Sequence, residues 1–309
     1  MAAPDLTAGP ELRLRARRRR YGEDVVKGVL AVCALISVAT TVGIVIALFV
    51  PAFEFFQEVS IIDFLTGTNW SPLFEPASFG VLQLVSGTIN VTLIASAVAM
   101  PFGLGAAIYL SEYASARTRG ILKPALEVLA GIPTIVFGYF ALTFMTPLLR
   151  DIGIQVDVFN TLSAGLVMGV MLMPTVASLS EDAMGAVPRD LREGAYALGS
   201  TKVQVATRVV VPAAISGIVA SFVLAISRAV GETMIVLIAM GQQPNLTLDP
   251  REAAEAMTAF IAATGAGDVP TGSIEYKTIF AVGALLFVMT LIMNVFAIRL
   301  VRKYREVYE

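Results

Sequence analysis

The sequence predicts an all-α, polytopic membrane protein with six transmembrane helices. Composition is the first observation: 56% of the 309 residues are hydrophobic, only 15% are charged, and the mean hydropathy is +0.77. Soluble domains carry about 25% charged residues. The second observation is that six stretches offer the roughly 20 apolar residues that one span requires. These predicted spans are residues 28–50, 79–110, 125–149, 158–180, 213–241 and 278–298.

The third observation is an uneven distribution of basic residues. Of the 22 lysines and arginines, 18 lie before the first span, in the second and fourth connections, or in the tail. The opposite connections hold only Arg150, Arg251 and Lys277, and Arg228 lies within the fifth span. Because cytoplasmic loops carry the excess of basic residues, both termini are predicted to be cytoplasmic.

The amino-terminal 24 residues are polar, charged and interrupted by proline and glycine, which predicts a disordered segment before a transmembrane domain of residues 25–309. A basic run at 13–20 fits an anchor beside anionic membrane lipid. We do not expect so hydrophobic a chain to bind nucleic acid. The first span lacks a small-residue cleavage site, so it is predicted to stay attached as an anchor.

The two long outer connections, residues 51–78 and 242–277, are predicted to contain surface helices. The first has acidic but no basic residues and many large apolar side chains, as expected for short helices along a membrane surface. The second has an alanine-rich stretch from Pro250 to Ala263, which predicts a helix. Two interpretations stay open for both connections: surface packing, or a docking surface for an external partner.

The fourth connection, residues 181–212, is predicted to be helix, break and helix on the cytoplasmic side. A short helix is expected over residues 191–198, and Gly199 suits a left-handed cap at its end. Thr201 and Gln204 then have the spacing of a capping box at the start of the next helix.

The same connection carries the pattern E-G-A-x3-G-x9-V-x-V-P, which begins at Glu193. It resembles the EAA loop, E-A-A-x3-G-x9-I-x-L-P, of ATP-binding-cassette importer permeases, with departures at positions 194, 209 and 211. From spacing alone, an ordinary amphipathic surface helix is the alternative. In that family the loop forms a coupling helix that docks into a separate ATPase. The resemblance therefore assigns ATPase coupling to Glu193, Gly194, Ala195, Gly199 and Pro212.

Catalytic chemistry within this chain is not predicted. A phosphate-binding loop requires G-x4-G-K-[ST], and the fragment Gly199-Ser-Thr-Lys202 lacks that spacing. The chain has no histidine for a Ser-His or Cys-His pair. With no histidine and a single cysteine, a His/Cys metal site has no support either. We expect a non-catalytic subunit with no cofactor or metal of its own.

Two ionisable residues of the fifth span, Arg228 and Glu232, are the best candidates for a substrate path. Arg228 follows Pro212 by 16 residues and precedes Gly241 by 13, which places it about 24 Å and about 20 Å from the two along a helix. An arginine near mid-membrane costs about 2.5–3.5 kcal/mol and normally faces a bundle interior or an aqueous path.

A guanidinium fits the oxygens of a tetrahedral oxyanion. At i, i+4 spacing, Glu232 is predicted to share the helical face of Arg228. It could hold the arginine, or accept a hydrogen bond from hydrogen phosphate that sulfate cannot donate. A structural ion pair is the alternative. Glu127 follows Pro124 by three residues and is predicted in the first turn of the third span, complementing the helix dipole.

Further stretches resemble PstC-type permease subunits of phosphate importers. They are residues 79–113, the sequence I-P-T-I-V-F-G at 132–138 and R-A-V-G-E-T at 228–233. The resemblance implies a type I importer permease fold in a bacterial inner membrane, a heterodimer with a homologous second permease, and an ATPase dimer that binds ATP and Mg. It also implies an external phosphate-binding protein, and matches Arg228 and Glu232 to residues implicated in phosphate passage.

Competing functions remain at this point. Another oxyanion, such as molybdate, sulfate or phosphonate, would use the same architecture. A secondary transporter would carry its own coupling site, typically with inverted repeats and broken helices, and no internal repeat is evident. A membrane scaffold or sensor would transport nothing.

Overall fold

Helices form nearly all the regular structure of the computed structural model, which describes residues 21–303. Four short stretches, residues 109–113, 141–145, 206–210 and 236–240, are π-helical. Two short strands, β1 Trp70–Ser71 and β2 Ser78–Phe79, pair antiparallel. The helices are α1 Tyr21–Glu58, α2 Ile61–Thr66, α3 Leu82–Tyr113, α4 Ala116–Ala130, α5 Thr134–Asp151, α6 Thr161–Gly185, α7 Arg189–Ala197, α8 Lys202–Ala213, α9 Ile215–Val230, α10 Val236–Met240, α11 Met257–Ala266 and α12 Ile274–Lys303.

The chain divides into two units, one ending at Ala47 and one beginning at Leu48, and the boundary falls within α1. In the first unit, the described residues are helical from Tyr21 onward. Residues 21–24 of the segment predicted to be disordered are therefore helical, with Glu23 and Asp24 in the first turn, where acidic side chains complement the helix dipole. The rest of that segment, including the basic run, lies outside the described residues.

Six spans can be assigned to the described residues if bent helices are counted with straight ones. Four helices, α1, α3, α6 and α12, are each long and apolar enough to cross a membrane. Two bent pairs, α4 with α5 and α8 with α9, supply the others, with bends of 87° and 72°. The architecture is therefore all-α with up to six spans, as the sequence predicts.

The third predicted span is the bent pair α4 and α5. Helix α4 begins well before Pro124, because the Ser115 side chain caps it by accepting a hydrogen bond from the Thr118 N–H at 3.2 Å. It ends at Ala130. The prediction for Glu127 is wrong: this exposed residue lies in the last turn of α4, where a carboxylate opposes the helix dipole.

The fifth predicted span, residues 213–241, differs more from its prediction. Its helix begins upstream, at Lys202, and bends near Ala214. It then breaks after Val230, and residues 231–233 are not helical before the chain turns helical again and ends at Gly241, whose φ of 104° favours glycine. The predicted continuous helix is therefore divided among three helices, α8, α9 and α10.

Helices α3 and α6 form the centre of the second unit. Glycines of α6 let the two backbones approach closely, as small residues do between membrane helices. A Cβ atom added at Gly165 would lie 2.7 Å from the Ile94 side chain, and one at Gly169 would lie 2.6 Å from Val98. The two helices therefore pack through branched side chains of α3 and glycines of α6.

The outer connections are only partly the surface helices that were predicted. The first contains α2 and the β1–β2 hairpin, where Trp70 pairs with Phe79. In the second, the helix begins at Met257 and not at Pro250. Carbonyl oxygens of residues 250–252 instead accept hydrogen bonds from the backbone of residues 157–162, for example Leu162 N–H to Pro250 at 2.7 Å. These bonds hold residues 250–256 out of a helix.

Candidate functional site

The predicted coupling helix is α7, Arg189–Ala197, close to the expected 191–198. Gly199 follows it with φ 81°, and the Ser200 N–H donates to the Ala195 carbonyl at 3.1 Å, so the predicted left-handed cap is confirmed. The capping box of Thr201 and Gln204 is also confirmed, since each side chain accepts a hydrogen bond from the other residue's backbone N–H.

One face of α7 is free and the other is attached. Glu193, Gly194 and Tyr196 are exposed, and Leu198 just beyond the helix is 90% exposed. Ala195 is half-buried and packs against a cluster formed by residues of α3, α6, α8 and α9. The free face therefore presents a carboxylate and large side chains to a partner.

Arg192 is the attachment that the sequence did not reveal. Its guanidinium donates to the carbonyls of Met184 at 2.7 Å and Val187 at 2.6 Å, at the end of α6. It also donates to the Glu112 carboxylate at 3.2 Å, at the end of α3. The last carbonyls of a helix lack intrahelical partners, so a cation there is favourable. Arg192 thus joins the coupling helix to two membrane helices.

A second ion cluster fastens α4 to α6 near the same end. Glu181 on α6 is completely buried and pairs with Arg119 and, at 2.7 Å, with Lys123 of α4. Lys123 also contacts Asp182 at 2.9 Å. The partners are about 60 residues apart in the chain, which is why sequence reasoning missed them. Pairing with both cations offsets the cost of burying the carboxylate.

Pro212 is the motif residue that the structure places apart from the coupling helix. It is exposed and lies at the end of α8, two residues before the 72° bend at Ala214. Glu193, Gly194 and Ala195 lie on α7, and Gly199 ends it. The motif therefore spans one helix, its cap and the following bend.

Arg228 lies in the last turn of α9 and is exposed. Its guanidinium donates one long hydrogen bond, 3.4 Å, to the hydroxyl of Thr175 on α6. Among the described residues, Arg228 forms no ion pair. Most of its hydrogen-bonding capacity is therefore available to a ligand.

Glu232 does not share a helical face with Arg228, contrary to the i, i+4 expectation. Because α9 ends at Val230, Glu232 lies in the break, where it is 8% exposed. Its carboxylate accepts hydrogen bonds from the N–H groups of Met234 at 3.1 Å and Ile235 at 3.3 Å. Glu232 thus caps the helix that follows, and the structure does not form the alternative ion pair with Arg228.

Comparison with known proteins identifies this arrangement. Residues 99–306 match the family of binding-protein-dependent transport system inner membrane components. The chain belongs to this family. The matched residues include the coupling helix, both ion clusters and the Arg228 region of this permease.

Several curated permeases are similar over most of their length. The chain is 36% identical to the probable ABC transporter permease YqgH of Bacillus subtilis, over 90% of this chain and 91% of that protein. It is 34% identical to the phosphate transport system permease PstC of Xylella fastidiosa, over 78% and 80%. A PstC of Mesorhizobium japonicum is 31% identical, over 80% of each chain.

Solved structures agree on the fold. A chain of a bacterial alginate ABC transporter superposes with a TM-score of 0.64, covering 93% of this chain and 98% of that one at 17% identity. A chain of the MetNI methionine ABC transporter gives 0.56, covering 74% and 95% at 19% identity. This permease therefore has the type I ABC importer permease fold and is a multi-pass inner-membrane protein.

Proposed function

We propose that this chain is the membrane-spanning permease subunit of an ATP-driven phosphate importer. It forms half of the translocation pathway and couples to a separate ATPase through α7. One observation carries the coupling role: the Glu193 face of α7 is exposed, while Arg192 on the same helix binds the ends of α3 and α6. A displacement of α7 would therefore reach the membrane helices directly.

Phosphate as the substrate is supported by two independent observations. The chain resembles curated phosphate permeases over most of its length. In addition, Arg228 offers a guanidinium with one neutral partner and no paired carboxylate in the part of the chain that the structure describes. Such a fork binds two oxygens of a tetrahedral oxyanion and stays charged at physiological pH.

Glu232 has two roles in this proposal, of which the first is positional. By capping the helix after the break, its carboxylate fixes the backbone that follows Arg228. Discrimination of hydrogen phosphate from sulfate by the same carboxylate is part of the proposal. Replacement of Glu232 by glutamine would leave selectivity unchanged if the cap were its only function.

The assembly that supports this activity has four kinds of partner. A homologous second permease completes the pathway as a heterodimer, and an ATPase dimer that binds ATP and Mg docks on α7. An external phosphate-binding protein delivers the substrate, and membrane lipid surrounds the spans. Both termini of this chain lie in the cytoplasm, as the basic residues predict.

Uptake by the complete complex in proteoliposomes tests the function. We expect ATP-dependent uptake of labelled phosphate in preference to sulfate and molybdate. Uptake with Arg228→Ala should be at least tenfold lower, because the phosphate anion then crosses the membrane without a cationic partner. Arg228→Lys keeps the positive charge but loses the two-pronged guanidinium, so its phosphate uptake should lie between those of the wild type and of Arg228→Ala.

Arg117→Ala is the matched control, since this arginine of α4 is exposed and should leave uptake unchanged. Full uptake with Arg228→Ala, in a complex that still assembles, would make Arg228 structural. Preferred uptake of another oxyanion would replace the substrate, and uptake driven by an ion gradient without ATP would contradict the importer mechanism.

A further inference from the structure

A cavity of about 470 Å³ lies between the two connections predicted to face outward, residues 51–78 and 242–277. Both connections contribute to it, and its wall combines aromatic and acidic side chains. Residues that line it include Trp70, Phe74, Glu255, Phe260, Thr264 and Asp268. Neither coupling to the ATPase nor the Arg228 path uses this cavity.

Glu255 is the unusual group in this cavity. It is only 5% exposed, and its carboxyl group forms no hydrogen bond or ion pair within residues 21–303. Burial raises its pKa to about 7. An unpaired buried carboxylate is costly, so the residue is either protonated or completed by a group from outside the chain.

The backbone holds Glu255 in this position. Its carbonyl oxygen lies against Gly87 of α3, where an added Cβ would approach to 2.3 Å. Two residues further on, the N–H of Met257 donates to the Thr88 hydroxyl at 3.0 Å. The backbone at Glu255 is therefore fixed against α3, which keeps the side chain at the wall of the cavity.

No cation of this chain is available to neutralise Glu255 among the described outer residues. The three basic side chains of the outer connections are engaged elsewhere. Arg251 pairs with Asp249 at 2.5 Å, and Lys277 pairs with Glu58 at 3.1 Å. Arg150 donates to the Val156 carbonyl at 2.9 Å.

The neighbouring elements add no cation either. Helices α10 and α11, and α3 from Leu82 to Ile108, contain no charged residue. Asp268 is the other titratable group that lines the cavity, and it is also acidic. The cavity is therefore complementary to a positive charge.

We propose that this cavity receives a lysine or arginine side chain from an external protein. The inference rests on the proposed function, in which that protein is the solute-binding protein that docks on the outer face. The rings of Trp70, Phe74 and Phe260 would supply apolar contacts to the stem and cation–π contacts to the charged head, and Glu255 would supply the counter-charge.

A polypeptide fits this cavity better than a free cation. A metal ion would leave most of a cavity of about 470 Å³ unfilled. A lysine or arginine side chain carries an apolar stem that can lie along the aromatic wall and a charged head that can reach Glu255.

Docking of a cation requires the ionised form of Glu255. Because its pKa is about 7 before docking, the group is mostly protonated at pH 6 and mostly ionised at pH 8. The binding protein should therefore dock about tenfold more tightly at pH 8 than at pH 6, through this group alone.

The test titrates phosphate-loaded binding protein onto the complete complex in nanodiscs and measures the concentration that half-maximally stimulates ATP hydrolysis. Glu255→Gln keeps the shape of the side chain and removes the charge. We expect it to raise that concentration about tenfold at pH 8 and to abolish the difference between pH 6 and pH 8, with basal ATP hydrolysis unchanged.

Glu252→Gln is the matched control, because Glu252 lies on the same segment and is exposed. Glu252→Gln makes the same change in net charge, and we expect it to change the half-maximal concentration of binding protein by less than twofold. Equal shifts for the two variants, or no shift for Glu255→Gln, would overturn the inference.

A double-mutant cycle identifies the partner group. Each basic residue of the binding protein is changed to alanine, and we expect one whose effect disappears in the Glu255→Gln complex. Additive effects for all of them would contradict a peptide ligand. Binding of free arginine or a divalent cation at Glu255 that leaves docking of the binding protein unchanged would contradict it too. If the wild-type complex is not stimulated by any loaded binding protein, the proposed function itself fails.

Discussion

Buried carboxylates are paired with cations at one end of this permease and left unpaired at the other. At the coupling end, Glu181 is buried against Arg119 and Lys123, and Glu112 is paired with Arg192. At the other end, Glu255 is buried with no cation beside it. The difference is that the carboxylates beside α7 are neutralised by cations of the same chain, whereas Glu255 has no such cation among the described residues, which is the basis of the proposed docking site.

The largest expected effect comes from removing the cations at the end where the carboxylates are paired. The double variant Arg119→Ala/Lys123→Ala leaves Glu181 buried and unpaired, which should destabilise the protein by about 3–5 kcal/mol. Thermal unfolding of the purified complex in detergent measures this loss. Adding Glu181→Gln should restore much of the stability, and failure of this rescue would mean that the cluster stabilises by packing and not by charge.

The opposite sign is expected at the end where Glu255 is unpaired. The folded-state pKa of Glu255, about 7, lies above its usual value of 4.5. Its contribution to stability is therefore fully present below about pH 4.5 and is lost as the pH rises through 7. Without a docked partner, Glu255→Gln should stabilise the protein at pH 8 by up to about 3 kcal/mol.

Unfolding curves at pH 5 and pH 8 check this prediction. The gain from Glu255→Gln should be large at pH 8 and small at pH 5. A loss of stability at pH 8 would show that the carboxylate is already compensated, and the contrast between the two ends would disappear.

A smaller energetic effect with a clear functional consequence is expected at Arg192. Arg192→Ala removes hydrogen bonds to two carbonyls and to Glu112, but Arg192 is only partly buried and water can replace it, so we expect a total loss of about 1.5–3 kcal/mol. We expect the complex to assemble and hydrolyse ATP, with several-fold fewer phosphate ions imported per ATP. Arg192→Lys should recover part of the ratio, because lysine keeps the charge and loses the fork.

Uptake and ATP hydrolysis measured on the same proteoliposomes give this ratio. A parallel fall in both activities would indicate that Arg192 serves only folding or assembly. An unchanged ratio would show that force reaches the membrane helices through Ala195 and the packed cluster alone.

Features with a local signal were predictable from the sequence. The end of α7 at Gly199 and the capping box of Thr201 depend on residues within a few positions of each other, and both predictions hold. The EAA-like spacing placed the coupling helix within two residues of its observed bounds. The long apolar stretches correctly predicted α3, α6 and α12, because a run of apolar residues is also a local signal.

Features that depend on distant contacts were not predictable. Arg192 and Glu112 are 80 residues apart, and no periodicity relates them. The break at residues 231–233 is stabilised by the Glu232 cap and by the Thr258 hydroxyl, which donates to the Glu232 carbonyl at 2.6 Å. The helix expected at Pro250 is absent because its carbonyls bond to residues 157–162.

The close fit of α3 and α6 restricts how this permease can change shape. Ile94 and Val98 each occupy the space left by a glycine of α6. Because Gly165 and Gly169 are one turn apart, sliding one helix along the other by a turn would leave one branched side chain opposite a glycine and bring the other onto Thr161 or Met173, which carry a Cβ. We therefore expect α3 and α6 to move as one body, and the bends at residues 131–133 and near Ala214 to be the places where the rest of the chain changes direction relative to them.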